Sequence, residues 1–507
     1  MLALRQPWAT LFGLVLPPLG IVLLLRSRLR WPLKLLAAAP LTLLCAWAVL
    51  YLLGYRIELD GTGIRPILAA NRGEKQYQRI DRSRAQQRSS PPPAAQAALT
   101  SVSANAQAPA APAPRMRPAL AEDPPPTELD WPDYRGWKRS GLYPGPILTS
   151  WPQKGLRELW RQPVGGGYAS VTVAANRIYT IEQRRDSEVV AAYDLHTGRE
   201  LWTNSWKAFF REAMGGDGPR ATPVYHQGLI YALGAEGELR CLDARTGQTL
   251  WRHDILRENG AANLPWGMAA SPLIVDEKVI VLPGGPRGKS VVAYHYKTGR
   301  LIWSALDDKQ SYTSPMLVDL AGRRQILVVS AQRALGLDPE TGALLWSYPW
   351  RTEYDVNAAQ PIIISPNQFF ISAGYGHGAA LVEVSDGHAR TVWSNTRMKN
   401  KFNSSVLFNG YVYGLDEGIL ACVNASTGEL KWKGGRYGYG QVLAAQNRLI
   451  ITSEGGDVAL VEATPEAHRE LARFEALQGK TWNNPAIAHG RLIVRNTTDM
   501  ACYQIAP

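Results

Sequence analysis

The sequence predicts an all-β body: an eight-bladed β-propeller of four-stranded antiparallel blades over residues 131–507, closed by pairing its N- and C-terminal strands. Transmembrane helices and a disordered linker are expected to precede it. Three observations carry this prediction. A 15-residue phrase recurs along the C-terminal part of the chain, each copy holds a tryptophan at the same place, and one extra tryptophan segment at the front has no unit of its own.

The chain has 507 residues, 46% hydrophobic and 19% charged, with 4 cysteines, so it is neither a disulfide scaffold nor a disordered polymer. Its net charge of +12 is spread unevenly. Residues 1–54 carry +5 with no acid, residues 55–130 carry +2, and residues 131–507 carry +5 from 40 basic and 35 acidic side chains. A nucleic-acid reader concentrates Lys and Arg on its folded domain, so the balanced body argues against that class of partner.

Residues 35–55 are uncharged and mostly apolar, which at 1.5 Å per residue matches a hydrocarbon core of roughly 30 Å. Residues 9–25 contain Pro17 and Pro18 and are read as a kinked first span, with the apolar part of a signal sequence as the alternative. Together they make residues 1–55 a membrane anchor. Between them the basic run RSRLRWPLK (26–34) stays cytoplasmic under the positive-inside rule, which puts everything after Tyr55 outside the cytoplasm. The expectation is an inner-membrane anchor with the body in the periplasm. Cys45 lacks the small residues that precede a lipidated cysteine and is read as a small apolar residue of the span.

Residues 56–130 are expected to be a linker. Ten prolines between Pro91 and Pro126, with Ala, Gln and Ser around them, favour extended polyproline stretches and no core, hence a semi-stiff tether.

The repeated phrase reads AYDLHTGRELWTNSW (192–206), CLDARTGQTLWRHDI (241–255), AYHYKTGRLIWSALD (293–307), GLDPETGALLWSYPW (336–350) and CVNASTGELKWKGGR (422–436). Its anchors, Trp160, Trp202, Trp251, Trp303, Trp346, Trp393, Trp432 and Phe474, are 39 to 52 residues apart, a period of propellers and solenoids. Within each period, short β-rich runs are broken by turn residues, giving four strands and excluding helical repeats. In D-x-x-T-G, Asp194 or Asp338 accepts backbone N–H bonds inside the turn and Gly198 or Gly342 supplies a positive φ. The tryptophan lies on the outermost strand and packs against the neighbouring blade, a structural role.

Seven complete units run from about Tyr168 to Leu477, and residues 482–505 supply three further strands. If GLRELWRQP, carrying Trp160, fills the missing place, the eighth blade is stitched from both ends of the domain and no sheet edge is left open at the closure. Cys241, Cys422 and Cys502 fall on third strands of blades 2, 6 and 8, too far apart for disulfides, and read as buried small residues.

These phrases, with the opening WPDYRGWKRSGLYPG (131–145), resemble the PQQ-like (pyrroloquinoline-quinone-like) β-propeller repeat family over residues 131–507. The family includes quinoprotein alcohol dehydrogenases and the lipoprotein propeller of the outer-membrane assembly machinery. For a dehydrogenase the resemblance implies PQQ stacked between a Trp and a vicinal disulfide, calcium held by Glu and Asn, and an Asp base. The chain has no adjacent cysteines and no C-x-x-C-H haem site. Asp217, Asp308, Glu353 and Asp355 match no motif of that branch and read as solvated loop carboxylates.

In a propeller the loops entering the innermost strands converge on the channel. Here they gather Tyr168, Arg220, Trp266, Tyr312, Lys401, Asn403, Arg436, Tyr439, Lys480, Trp482 and Asn483, a cationic and aromatic funnel suited to a planar or anionic ligand or an extended peptide. No catalytic series and no metal-ligand spacing is present in the sequence. The expected function is binding or scaffolding of an envelope protein partner. The alternative is a PQQ-dependent oxidoreductase of alcohols or sugars with calcium.

Overall fold

The computed structural model describes residues 26–27, 30–53, 55–59, 65–70, 73–89, 125–212 and 215–507. It divides into two units, Met1–Gly73 and Glu74–Pro507.

The first unit contains helix α1 (Trp31–Leu52), which is long and apolar enough to cross a membrane by length and composition. It begins four residues before the expected start, because Pro32 sits in the first turn, where its missing N–H is not needed. Two strands follow, Tyr55–Leu59 and Pro66–Ala70, paired antiparallel with Tyr55 opposite Ala70. The expected first span, residues 9–25, lies outside the described residues.

The second unit holds the propeller. Each of its eight sheets runs from an innermost to an outermost strand, the first being Thr172–Ala174, Arg177–Arg184, Ser187–Asp194 and Glu200–Lys207. The eighth is assembled from Ala486–Ala488, Arg491–Arg495, Asp499–Gln504 and, from the front of the domain, Glu158–Pro163. Cys502 stands opposite Trp160 in that last pairing, so the ring closes where the spare tryptophan segment required it.

The repeated phrase acts on two blades at once. Asp194 Oδ1 accepts from the amides of His196 (3.0 Å) and Thr197 (2.8 Å), and Asp338 and Asn424 do the same in blades 4 and 6. The carbonyl of the residue after the turn's first position is then free for the tryptophan of the preceding blade. Trp160 donates to Leu195, Trp202 to Ala244, Trp251 to Tyr296, Trp303 to Pro339 and Trp393 to Ala425, at 2.8 to 3.2 Å. Trp432 reaches Thr464 at 2.9 Å. Trp346 differs. Blade 5 replaces the phrase by a tight hairpin in which Ser385 faces His388, so Trp346 turns to Gln325 Oε1 of its own blade.

Around the axis, polar residues entering the innermost strands link blade to blade. The Ser170 amide donates to Thr222 Oγ1, Thr222 to Ser271 Oγ, Ser271 to Ser314 Oγ and Gln360 to Ser404 Oγ, at 2.9 to 3.0 Å. Within this girdle runs residues 131–145. Leu142–Tyr143 lies parallel to Gln441–Ala445 as a fifth strand on blade 7.

The expectation of a linker over 56–130 does not hold for residues 74–89, which form helix α2 (Glu74–Ser89). Gln, Arg, Glu, Lys and Ala are good helix formers, neither Gly nor Pro interrupts them, and Glu74 and Arg88 complement the helix dipole. Low hydrophobicity hid the helix, since Ile80 and Arg84 are the residues it buries. The proline-rich stretch 90–124 lies outside the described residues.

Candidate functional site

The base of the channel is filled from residues 131–145. Arg139 is 2% exposed. Its Nε and Nη2 meet Asp133 at 3.0 Å, Nη1 donates to the carbonyls of Ser271 (3.2 Å) and Pro315 (2.6 Å), and Nη2 also reaches Pro272. Burial lifts the Asp133 carboxyl above its ordinary range despite that arginine. Arg135, 1% exposed, donates to Ser405 O at 2.9 Å and to Val442 O at 3.3 Å. Two guanidiniums thus tie the innermost strands of blades 3, 4, 6 and 7 from inside the ring, and the channel is closed at this level.

The loops of the other face form an aromatic belt. Tyr168 and Trp482 lie with ring centroids 5.2 Å apart, Trp482 and Phe402 at 4.6 Å, and Phe402 and Tyr439 at 5.8 Å. These rings come from the loops leading into blades 1, 8, 6 and 7. Cations lie over their faces: Lys480 Nζ is 4.2 Å from the Trp482 centroid, and Lys401 Nζ is 4.9 Å from both Tyr439 and Tyr375. Arg220 stacks on Phe210 (4.8 Å) and Tyr168 (5.6 Å) and donates to Gly216 O at 2.6 Å. Burial lowers the affinity of its guanidinium for the proton. Trp266 and Tyr312 form a second pair at 5.8 Å, and burial raises the Tyr312 phenol.

Of the eleven rim candidates, Tyr168, Lys401, Tyr439, Lys480 and Trp482 therefore come together, with Arg220 joined to them through Tyr168. Asn403 and Asn483 are each 1% exposed and turn into the loops. The Asn483 amide donates to Ala169 O at 2.8 Å and Asn403 Oδ1 accepts from Lys401 N at 3.1 Å, so both shape the rim from within. Arg436 is exposed at the end of the blade 6 outer strand, and among the described residues no hydrogen bond or ion pair joins it to the belt.

Tyr375 and Glu454 carry no signal in the sequence, because both lie on turns between second and third strands and not in the loops entering the innermost strands. Glu454 accepts from Trp482 Nε1 at 2.9 Å and from the Tyr439 amide at 3.2 Å, fixing both rings. Phe402 follows Lys401 in a loop entering an innermost strand, the same kind of position as the other rings of the belt. The acids expected as solvated are in part engaged: Arg333 bonds Asp308 at 2.7 and 2.8 Å, and Lys309 bonds Asp355 at 2.8 Å. No group of three or more His, Cys, Asp or Glu able to hold a metal occurs among the described residues.

A PQQ disc needs a flat axial slot and, in the pattern the resemblance implies, adjacent cysteines. Arg135 and Arg139 fill the axis at the innermost strands, and Cys241, Cys422 and Cys502 are buried free thiols in three separate blades. The residues present do not fit that cofactor.

Fold and rim together define an eight-bladed propeller with a plugged base and an aromatic, cationic mouth. Residues 185–434 match the family model described as outer membrane protein assembly factor BamB. Over those 250 residues, about half of its length, the chain resembles the PQQ-like β-propeller repeat family. Two kinds of relative share its sequence. The quinoprotein alcohol dehydrogenase PedH of Pseudomonas putida is 29% identical over 147 residues, 26% of this chain and 23% of that protein, so the match spans about a quarter of its length. The outer membrane protein assembly factor BamB of Shewanella oneidensis is 21% identical over 309 residues, 57% of this chain and 75% of that protein. Among solved structures, BamB from Moraxella catarrhalis aligns with a TM-score of 0.50 at 17% identity over 69% of this chain and 98% of its own. Quinohemoprotein alcohol dehydrogenase from Comamonas testosteroni aligns with a TM-score of 0.57 at 12% identity, covering 74% and 80%. Both likenesses concern the fold.

Proposed function

We propose that the protein is a binding and scaffolding propeller of the cell envelope, anchored through α1 to the inner membrane, with its body in the periplasm and its rim engaging an extended segment of a protein partner. The observation that carries this reading is the belt Tyr168–Trp482–Phe402–Tyr439 over a plugged channel. The rings are tilted against one another with cations on their faces, Tyr439 buried and Tyr168, Phe402 and Trp482 half-buried at the mouth, an arrangement that offers adhesive contacts and no reaction chamber. The longer sequence match, to an outer-membrane assembly factor, supports the same class.

The quinoprotein reading draws on the relatives PedH and 1-butanol dehydrogenase, each matched over 23% of its length. The filled axis and scattered cysteines argue against it.

Photo-crosslinking residues placed at Tyr168 and Tyr439 in the full chain test the proposal in envelope membranes. Adducts of defined mass are expected from the rim, lost in Trp482→Ala, and absent from the outer-strand control Leu301. Equal adducts from Leu301 would overturn it, as would calorimetric uptake of PQQ with calcium by the purified chain.

A further inference from the structure

Helix α2 lies across the seam of the propeller. Gln76 Nε2 donates to Val164 O (3.0 Å), just after the closing strand, and to Thr498 O (2.8 Å), just before the strand that the closing strand pairs with. One amide nitrogen thus joins the two ends of the ring. Further along, Arg79 pairs with Asp499 at 2.7 and 3.2 Å, and Gln87 donates to Gln162 at 2.9 Å.

Arg84 is the deepest contact, 4% exposed. Its Nε meets Glu200 Oε2 at 3.0 Å, Nη1 reaches Gln162 at 3.2 Å, and Nη2 donates to Pro163 O at 2.8 Å and Tyr193 OH at 3.3 Å. Blade 1 returns the grip through Arg185, which pairs with Glu74 and Asp81 at 2.7 Å, and through the Glu200 amide on Gln87 Oε1 at 3.0 Å.

The chemistry of this interface is unlike that of the blades. Apart from Ile80 and the Arg84 stem, α2 buries no large apolar surface, so almost every contact is a hydrogen bond or ion pair that water can replace. Such a contact is specific in geometry and easily exchanged. Beyond α2, residues 90–124 carry the prolines, a chain long enough to let the helix leave and rebind its own groove at high effective concentration.

We propose that α2 is a releasable latch that fastens the ring closure and sets how much free chain precedes the propeller. Docked, the chain leaving the first unit meets the propeller at Glu74, and a pull from the N-terminal side is borne by Arg79 and Arg84. Released, residues 74–124 join it. The closing strand loses its second fastener in the same step.

The test uses the full chain in detergent with a protease site inserted near residue 105. After cleavage at low salt, the fragment ending beyond Ser89 is expected to stay with the propeller. It should leave in high salt, in Arg84→Glu and in Arg79→Glu, and be retained again when Arg79→Glu is combined with Asp499→Arg. Release should raise amide exchange in 158–164 and 499–504 and leave blades 3 to 5 unchanged. Loss of the fragment from the unmodified chain at low salt would overturn the latch. So would retention unaltered by both charge reversals, or exchange that rises equally in every blade.

Discussion

The indole of Trp160 donates to the carbonyl of Leu195 at 3.0 Å, joining the closing strand of blade 8 to the first turn of blade 1. It is the same bond by which other blades hold their successors, so the seam is fastened by the ordinary inter-blade contact. Trp160→Ala removes a nearly buried indole and is expected to cost about 3–5 kcal/mol, and Trp160→Phe, which loses chiefly the hydrogen bond, about 1 kcal/mol. Urea denaturation midpoints at constant slope would measure both.

Gly198 answers to two demands. Its φ of +69° disfavours any side chain, and a Cβ there would stand 2.6 Å from the Trp160 ring. Gly228 has a φ of +76° with nothing within 4 Å of the added carbon. Gly228→Ala is therefore expected to cost about 1 kcal/mol of backbone strain, and Gly198→Ala a further 1–3 kcal/mol of overpacking. Equal thermal shifts for the two variants would remove the contact term.

The plug makes a sharper demand. Arg139→Met would leave Asp133 without its cation and uncover the carbonyls of Ser271, Pro272 and Pro315. A loss of about 3–5 kcal/mol is expected, because breaking a buried pair strands the other charge. Arg139→Lys would recover only part of it, one ammonium being unable to span the carboxylate and three carbonyls. Differential scanning calorimetry of both variants checks the order.

What the sequence disclosed was whatever repeats. Trp160, Asp194 and Gly198 were legible because the phrase around them recurs with a period, and the closure followed from a missing strand and a spare one. Arg135, Arg139 and helix α2 occur once each and are polar, so no periodicity or apolar stripe marked them. Their burial rests on carbonyls and carboxylates supplied from blades distant in the chain. At the rim, residue type picked out the rings and cations, but neither composition nor spacing could say that Asn483 turns inward, which depends on the carbonyls of Gly167 and Ala169.

The three propeller cysteines are expected to be silent. Burial pushes each of the Cys241, Cys422 and Cys502 thiols up to about 12, leaving almost no thiolate at pH 8. Native protein should show no reaction at these positions with a thiolate-seeking reagent, and full reaction once unfolded. Rapid native labelling of any of them, mapped by peptide mass, would contradict the packing of its blade.

Glu188 gives the fold a dependence on pH. On the third strand of blade 1, its carboxyl is fully buried, with Oε1 accepting from the Ala235 amide of blade 2 at 2.9 Å. Burial pushes it up to about 7, outweighing that amide. An acid raised above its unfolded value binds more protons when folded, so stability falls as pH rises between the unfolded value near 4.5 and about 7, and the loss is complete above that window. The group's share is of the order of 3 kcal/mol. Glu188→Gln keeps an acceptor for Ala235 and cannot ionise, so it should match the parent near pH 4.5 and exceed it at pH 8. Guanidinium denaturation at the two pH values measures the difference, and a gain of the same size at both would mean that Glu188 does not titrate in this window.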